Sequence, residues 1–163
     1  MNIKAVRFNV NDKPEFVKEL HAKVNQYFKD RNLSKKANLS MYLKTAFMVS
    51  IYLGPLAYLI FGGVQSFVVM YIMYVLMAFG AAGIGMTVMH DANHGSYSKN
   101  PFVNKFFGFF TNVIGGYHVN WKIQHNVLHH TFTNIEEYDE DVEKAVFRFS
   151  ALQKNKAMFK YQA

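Results

Sequence analysis

The dominant pattern along the chain is a void of charge. Residues 45–89 contain no Asp, Glu, Lys, Arg or His, a run of 45 positions, and all 29 Lys, Arg, Asp and Glu lie in the flanks. The run is too long for one membrane crossing and suits two. Residues 45–61 supply 17 positions, roughly 26 Å of helix at about 1.5 Å each. The GGVQS stretch at 62–66 reads as a turn, and residues 67–89 supply 23 more positions. A bilayer core of about 30 Å calls for around 20. Pro55 falls inside the first span, where lipid-embedded helices tolerate proline better than soluble ones do.

The flanks have patterns of their own. In residues 1–44, Asp12 and Glu15 bracket Pro14 in the manner of a helix start, a cap with its reciprocal carboxylate. Phe16, Val17, Leu20, Val24, Tyr27 and Phe28 then recur at helical spacing with Lys18, Lys23 and Lys29 among them. This predicts an amphipathic helix that either rests its basic edge on a membrane surface or packs against the rest of the protein. Residues 102–117 are apolar but interrupted by Asn104, Lys105 and Asn112, and end at Gly115-Gly116. That stretch is short for a span and predicts a helix lying in the interface. From Lys122 the chain is polar, with Glu136, Glu137, Asp139, Glu140, Asp141 and Glu143 forming an acidic stretch.

Composition sharpens this picture. The mean hydropathy of −0.03 averages two opposite populations, so it does not describe an ordinary soluble fold. With no cysteine there is no disulfide framework, no Fe–S cluster and no thiolate zinc site. Any metal must be held by His, carboxylate or amide groups. The net charge of +7 suits an anionic lipid surface or substrate. The basic residues do not form one short run, and no nucleic-acid partner is expected. The first 44 residues hold no apolar segment of the kind a cleaved signal peptide needs. Ten basic residues precede the hairpin, eight follow it, and the turn has none, so the positive-inside rule places both termini in the cytoplasm.

The candidate chemistry lies in histidine. Five of the seven His fall in two clusters, His90-Asp91-Ala92-Asn93-His94 and His125-Asn126-Val127-Leu128-His129-His130. On a helix, His90 and His94 stand about 40° apart on one face. His125 and His129 repeat that spacing, while His130 would point about 100° from His129. Neutral imidazole suits Fe, Zn, Cu and Ni. Five clustered His exceed the three or four ligands of one zinc site, which leaves two metals or some His supporting other ligands. A zinc hydrolase of the HExxH type would need Glu where Asp91 stands. A bis-His haem protein, or surface His without metal, are the remaining alternatives. His118 reads as a packing or supporting residue, and His21 stands alone in the N-terminal segment.

The stretch HDANHGSYS, followed about thirty residues later by WKIQHNVLHHTFTNI and then DED, resembles the first two histidine boxes of the membrane fatty-acid desaturases. The likeness is strongest to the acyl-CoA and front-end, linoleoyl-CoA desaturase-like branch. It implies an all-α integral membrane protein with one transmembrane hairpin plus cytoplasmic and interfacial helices, half of a four-span fold. It also implies a di-iron centre at the cytoplasmic face, held here by His90, His94, His125, His129 and His130. O₂ would be co-substrate, and a fatty acyl-CoA or acyl-lipid the substrate. Asp91, Trp121 and Asn126 match box neighbours that orient the rings. The family's third His box and second hairpin find no counterpart, so the resemblance places the chain as roughly the first half of such an enzyme. Residues 1–44 lack the HPGG signature of a fused cytochrome b5, so electrons would come from a separate cytochrome b5 or ferredoxin.

The expected organisation is therefore a basic cytoplasmic segment at 1–44, a membrane hairpin at 45–89 and a cytoplasmic histidine region at 90–163. The membrane is the bacterial inner membrane, or the endoplasmic reticulum in a eukaryote. A lipid hydroxylase on the same scaffold, or a non-catalytic membrane protein binding haem or metal, are the alternative functions.

Overall fold

The computed structural model describes residues 6, 9, 14–135, 138–142, 147 and 148. It divides into two compact units, Met1–Lys35 and Lys36–Ala163.

The first unit holds helix α1, Glu15–Asp30. Pro14 is its N-cap, with no side-chain cap bond; Asp12, read as the capping residue, lies outside the described residues. The helix ends where Asn32 takes a positive φ of 49° and the Leu33 N–H reaches the Phe28 carbonyl at 2.9 Å. Asn tolerates that left-handed position, and the bond satisfies a carbonyl the helix would otherwise leave open.

The second unit opens with the hairpin. Helix α2 (Leu39–Phe61) is capped by Asn38, whose side chain accepts the Met41 N–H at 3.0 Å. Helix α3 (Phe67–Asn93) is continuous, with a π-helical turn at Ile84–Val88. Both helices are longer than the uncharged blocks: α2 starts six residues before Thr45 and α3 continues four beyond Met89. The absence of charge marks where lipid begins and ends, whereas capping and backbone hydrogen bonds decide where the helix does. At 23 and 27 residues both can cross a membrane, and only 11% of each apolar stretch is buried in the protein. A core helix of a soluble protein would be mostly buried. Phe47, Phe61, Phe67 and Phe79 instead stand exposed, which is the surface lipid requires. The protein is a helical membrane protein.

The hairpin closes tightly because α3 presents glycine to α2. A Cβ on Gly80 would stand 2.8 Å from the backbone N and the Cβ of Tyr52. Small residues that let backbones approach are a common device of helix packing in lipid, where no hydrophobic drive separates helix from solvent.

Beyond α3 the chain forms two short helices, α4 (Pro101–Gly108) and α5 (Phe110–Val113), rather than one interfacial helix over 102–117. Asn100 and Pro101 start α4 in standard fashion, Asn100 accepting the Phe102 N–H at 2.9 Å. Helix α6 (His118–Trp121) runs into a π-helical segment, Lys122–His129, and then α7 (His130–Phe132). The buried apolar residues Ile84, Val88, Met89, Ala92 and Tyr97 gather where α3 ends. Thus the packed core sits at the histidine end of α3 rather than along the length of the hairpin. Tyr97 anchors the returning chain through a 2.7 Å bond between its hydroxyl and that of Thr45.

Candidate metal centre

The first histidine stretch rides on the last turns of α3. The π-helical turn at Ile84–Val88 immediately precedes it. Such turns insert an extra residue into the helical ladder and re-aim the side chains beyond it. The second stretch occupies the π-helical segment itself, so the expected α-helical geometry is corrected there. His125 and His129 still stack face to face, with centroids 5.0 Å apart and planes 16° from parallel.

The structure brings all five clustered histidines together. His90 Nε2 lies 3.2 Å from His125 Nε2, and His94 Nε2 lies 3.4 Å from His130 Nε2. Each pair joins one stretch to the other. His129 enters through its stack on His125. Donor atoms of His90, His94 and His125 all fall within 4.8 Å of one another, and so do those of His125, His129 and Asp141.

The other ring nitrogens explain why the Nε2 atoms converge. Nδ1 of His90 meets Asp91 Oδ1 at 3.1 Å, Nδ1 of His125 meets Asp141 Oδ2 at 2.7 Å, and Nδ1 of His129 meets Asp139 Oδ1 at 2.8 Å. A carboxylate accepts only, so each Nδ1 carries the proton and, in the neutral ring, each Nε2 carries a lone pair. Lone pairs facing one another at these distances repel unless a cation or proton lies between them. Two ligands at about 2.0–2.1 Å from one ion stand about 2.8–3.4 Å apart in cis or tetrahedral arrangement. The donor set, all imidazole with supporting carboxylates, fits a nitrogen-favouring transition metal.

Asp139 is the most confined of these three carboxylates, with 1% of its surface exposed. Burial alone would raise its pKa. The His129 hydrogen bond, the Asn134 and Asp141 backbone N–H groups and the charge of His129 together hold it below the ordinary carboxylate value. Asn134 N–H donates to Oδ2 at 2.8 Å and Asp141 N–H to Oδ1 at 3.1 Å. On the other side of the balance, desolvation and the neighbouring His90, His130 and His125 outweigh Asp91 and lower His94 from 6.5 to about 4. Desolvation, followed by His125, His129 and His90, lowers His130 as well. These rings resist protonation and stay available as ligands.

Trp121 stacks on His125 at 4.5 Å and presents edges to His90 and His94 at 5.7 and 5.8 Å. Asn126 donates to the Asn93 carbonyl at 3.1 Å, while its own Oδ1 is buried without a partner among the described residues. Asn93 in turn donates to Thr111 Oγ1 at 3.0 Å, packed so closely that a Cβ on Gly108 would overlap its Oδ1. His118 bonds Asn112 Oδ1 at 2.8 Å through Nδ1 and belongs to neither donor group. His21 lies in α1 of the first unit.

In sequence Asp139 and Asp141 stand only as members of an acidic stretch and of the DED that follows the second histidine stretch, with no role of their own. No spacing marks them: they lie ten residues after His129 and sixteen after His125 and meet those rings only because the chain folds back.

Comparison with known proteins bears on this constellation directly. Residues 66–163, which hold all five histidines and both aspartates, match the protein family described as fatty acid desaturase. The chain belongs to the fatty acid desaturase family. The desaturase relatives include the sn-1 linoleoyl-lipid 6-desaturase of Arthrospira platensis, 37% identical over 78% of this chain and 34% of its own length. The sn-1 linoleoyl-lipid 6-desaturase of Synechocystis is 33% identical over 97% of this chain and 44% of its own. The acyl-lipid (8-3)-desaturase of Physcomitrium patens is 33% identical over 78% of this chain and 26% of its own. The chain thus spans a third to under half the length of the first two. No solved structure matches it. The resemblance read from the two histidine stretches is borne out as family membership.

Proposed function

We propose that the chain supplies the histidine-rich part of a di-iron centre that desaturates fatty acyl chains with O₂. The observation that carries this is the approach of His90 to His125 and His94 to His130 across two separate stretches, Nε2 to Nε2. His90, His94, His125, His129 and His130 are the ligands in this reading, placed at the end of a membrane-length helix.

An unactivated C–H bond in a lipid tail offers neither an acidic proton nor an electrophile, so side-chain acid–base or nucleophilic catalysis has nothing to act on. Iron, when bound, supplies the oxidising chemistry that such a bond requires. The protein's own residues do the rest. Asp91, Asp139 and Asp141 hold three rings in the Nδ1–H form and turn their Nε2 atoms inward. Trp121 holds His125 flat against its face. The position beside lipid lets an acyl tail stay in apolar surroundings while its polar end stays wet.

The names of the relatives favour an acyl-lipid over an acyl-CoA as substrate. A ferredoxin or cytochrome b5 serves as electron donor, and both termini face the cytoplasm, as the basic flanks of the hairpin suggest. The chain is the first of two membrane hairpins in this reading.

The experiment is anaerobic loading of the purified protein with Fe²⁺, together with mass spectrometry of lipids from cells that express the chain within a full-length enzyme of the family. The expected results are iron retention without a Soret band and acyl chains two hydrogens lighter. Acyl chains that gain oxygen would reassign it as a hydroxylase, and a Soret band or stoichiometric zinc would defeat the iron reading.

A further inference from the structure

Helix α1 carries an apolar face of which no residue is buried. At 100° per residue, Phe16, Tyr27, Leu20, Val24, Val17 and Phe28 fall within an arc of about 120°. None of the α1 residues is buried, and Phe16 is 77% exposed. Leu20, Val24 and Tyr27 are also exposed. Lys23 borders one edge of the arc and His21 the other, with Lys18 and Lys29 beyond His21. Long lysine side chains in such places lay their methylenes along an apolar surface and keep the ammonium in the headgroup layer. Residues 1–35 carry eight Lys and Arg against four Asp and Glu; α1 itself balances three Lys with Glu15, Glu19 and Asp30, and the basic excess that complements an anionic surface lies in the segments on either side of it.

Chain length restricts what can meet this face. Eight residues, 31–38, separate α1 from α2. Fully extended they reach at most about 29 Å, at up to about 3.6 Å each. Helix α2 is long and apolar enough to cross a membrane, so the end of α1 is always tethered close to the start of a membrane-length helix.

The geometry points to α1 as an interfacial helix that lies on the anionic lipid surface of the membrane crossed by α2 and α3, apolar arc inward. This does not depend on the desaturase reading, since it rests on the amphipathic pattern, the exposure and the tether alone.

The chain has no cysteine, so single labels are clean. Leu20→Cys and Val24→Cys place an environment-sensitive fluorophore on the arc, and Ala22→Cys places it opposite; all three positions are exposed, so labelling leaves the fold undisturbed. The full chain is reconstituted in nanodiscs of phosphatidylcholine with increasing phosphatidylglycerol. Blue-shifted emission at positions 20 and 24, quenched by doxyl-labelled lipid and increasing with phosphatidylglycerol, is expected, with position 22 quenched by aqueous iodide. Iodide access at all three positions would overturn the proposal. Shielding of 20 and 24 from both quenchers would also overturn it, by showing a protein face on the arc, either this chain or a second copy. Quenching indifferent to phosphatidylglycerol would overturn the anionic assignment. Iron binding plays no part in any of these readouts.

Discussion

The side-chain amide of Asn126 donates to the backbone carbonyl of Asn93 across 3.1 Å. Asn93 lies between His90 and His94, and Asn126 follows His125, so one hydrogen bond sets the register between the two histidine stretches. Its geometry is what allows His90 to meet His125 and His94 to meet His130. Replacing Asn126 by Ala is expected to cost about 1–2 kcal/mol of stability through the lost bond. Metal affinity should fall by about 10–100-fold, the usual effect of removing a group that orients a ligand. Thermal unfolding and a Co²⁺ titration followed by absorption measure the two.

The histidines divide sharply in expected effect. His94→Ala or His129→Ala should abolish stoichiometric metal retention, because each removes a donor from the cluster. His21→Ala and His118→Ala should leave it intact, since neither belongs to a donor group among the described residues. Equal losses at all four positions, measured by metal analysis of the purified protein, would remove the cluster as the site.

Asp139 offers a test of orientation apart from ligation. Asp139→Ala removes the acceptor of His129 Nδ1–H and frees that ring to rotate or change tautomer. Metal affinity should fall by about 10–100-fold, and the ¹⁵N shifts of the metal-free His129 ring should show loss of the Nδ1–H form. Asp139→Asn, which keeps one acceptor oxygen, should retain more of both. Because the folded pKa of Asp139 lies below its unfolded value, its contribution is full above the ordinary carboxylate range and is lost as pH falls from there through the lower folded value.

His94 sets the acid side of stability. It titrates near 4 in the folded metal-free protein and near 6.5 when unfolded. Between those values the unfolded chain takes up a proton that the folded one refuses, so stability falls as pH drops from 6.5 towards 4. NMR titration of the metal-free protein should place the His94 ring transition near 4, and a transition near 6.5 would contradict the crowding seen here.

Packing of the hairpin gives a contrast between two glycines. Gly80→Ala sets a methyl against the Tyr52 backbone, which cannot yield without separating α2 from α3, and should cost about 1–3 kcal/mol. Gly83→Ala meets the thioether end of Met48, a flexible group that can turn aside, and should cost less. Unfolding in detergent compares the two directly.

Much of this architecture was legible from residue order because it rests on local or one-dimensional quantities. The length of the charge void sets the number of crossings, and the spacing of four within each histidine stretch sets two rings on one side of a helix. The apolar spacing of residues 16–28 likewise foretold α1. The region after Met89 is less legible. Residues 102–117 look like one apolar helix in sequence, yet the chain breaks between α4 and α5 at Phe109. The π-helical geometry of Lys122–His129 has no periodic signature that distinguishes it from an α-helix.

By itself, then, the order of residues determined the membrane hairpin, the amphipathic helix before it and the two sets of paired imidazoles. Those depend on neighbours no more than a few positions apart and on the free energy of moving charge into lipid. Only the tertiary structure decided which ring faces which across the two stretches, and that Asp139 and Asp141 stand behind His129 and His125. A carboxylate ten or sixteen residues from its imidazole meets it only if the intervening chain folds back. That return is decided by the packing of the whole loop, for which no spacing rule exists.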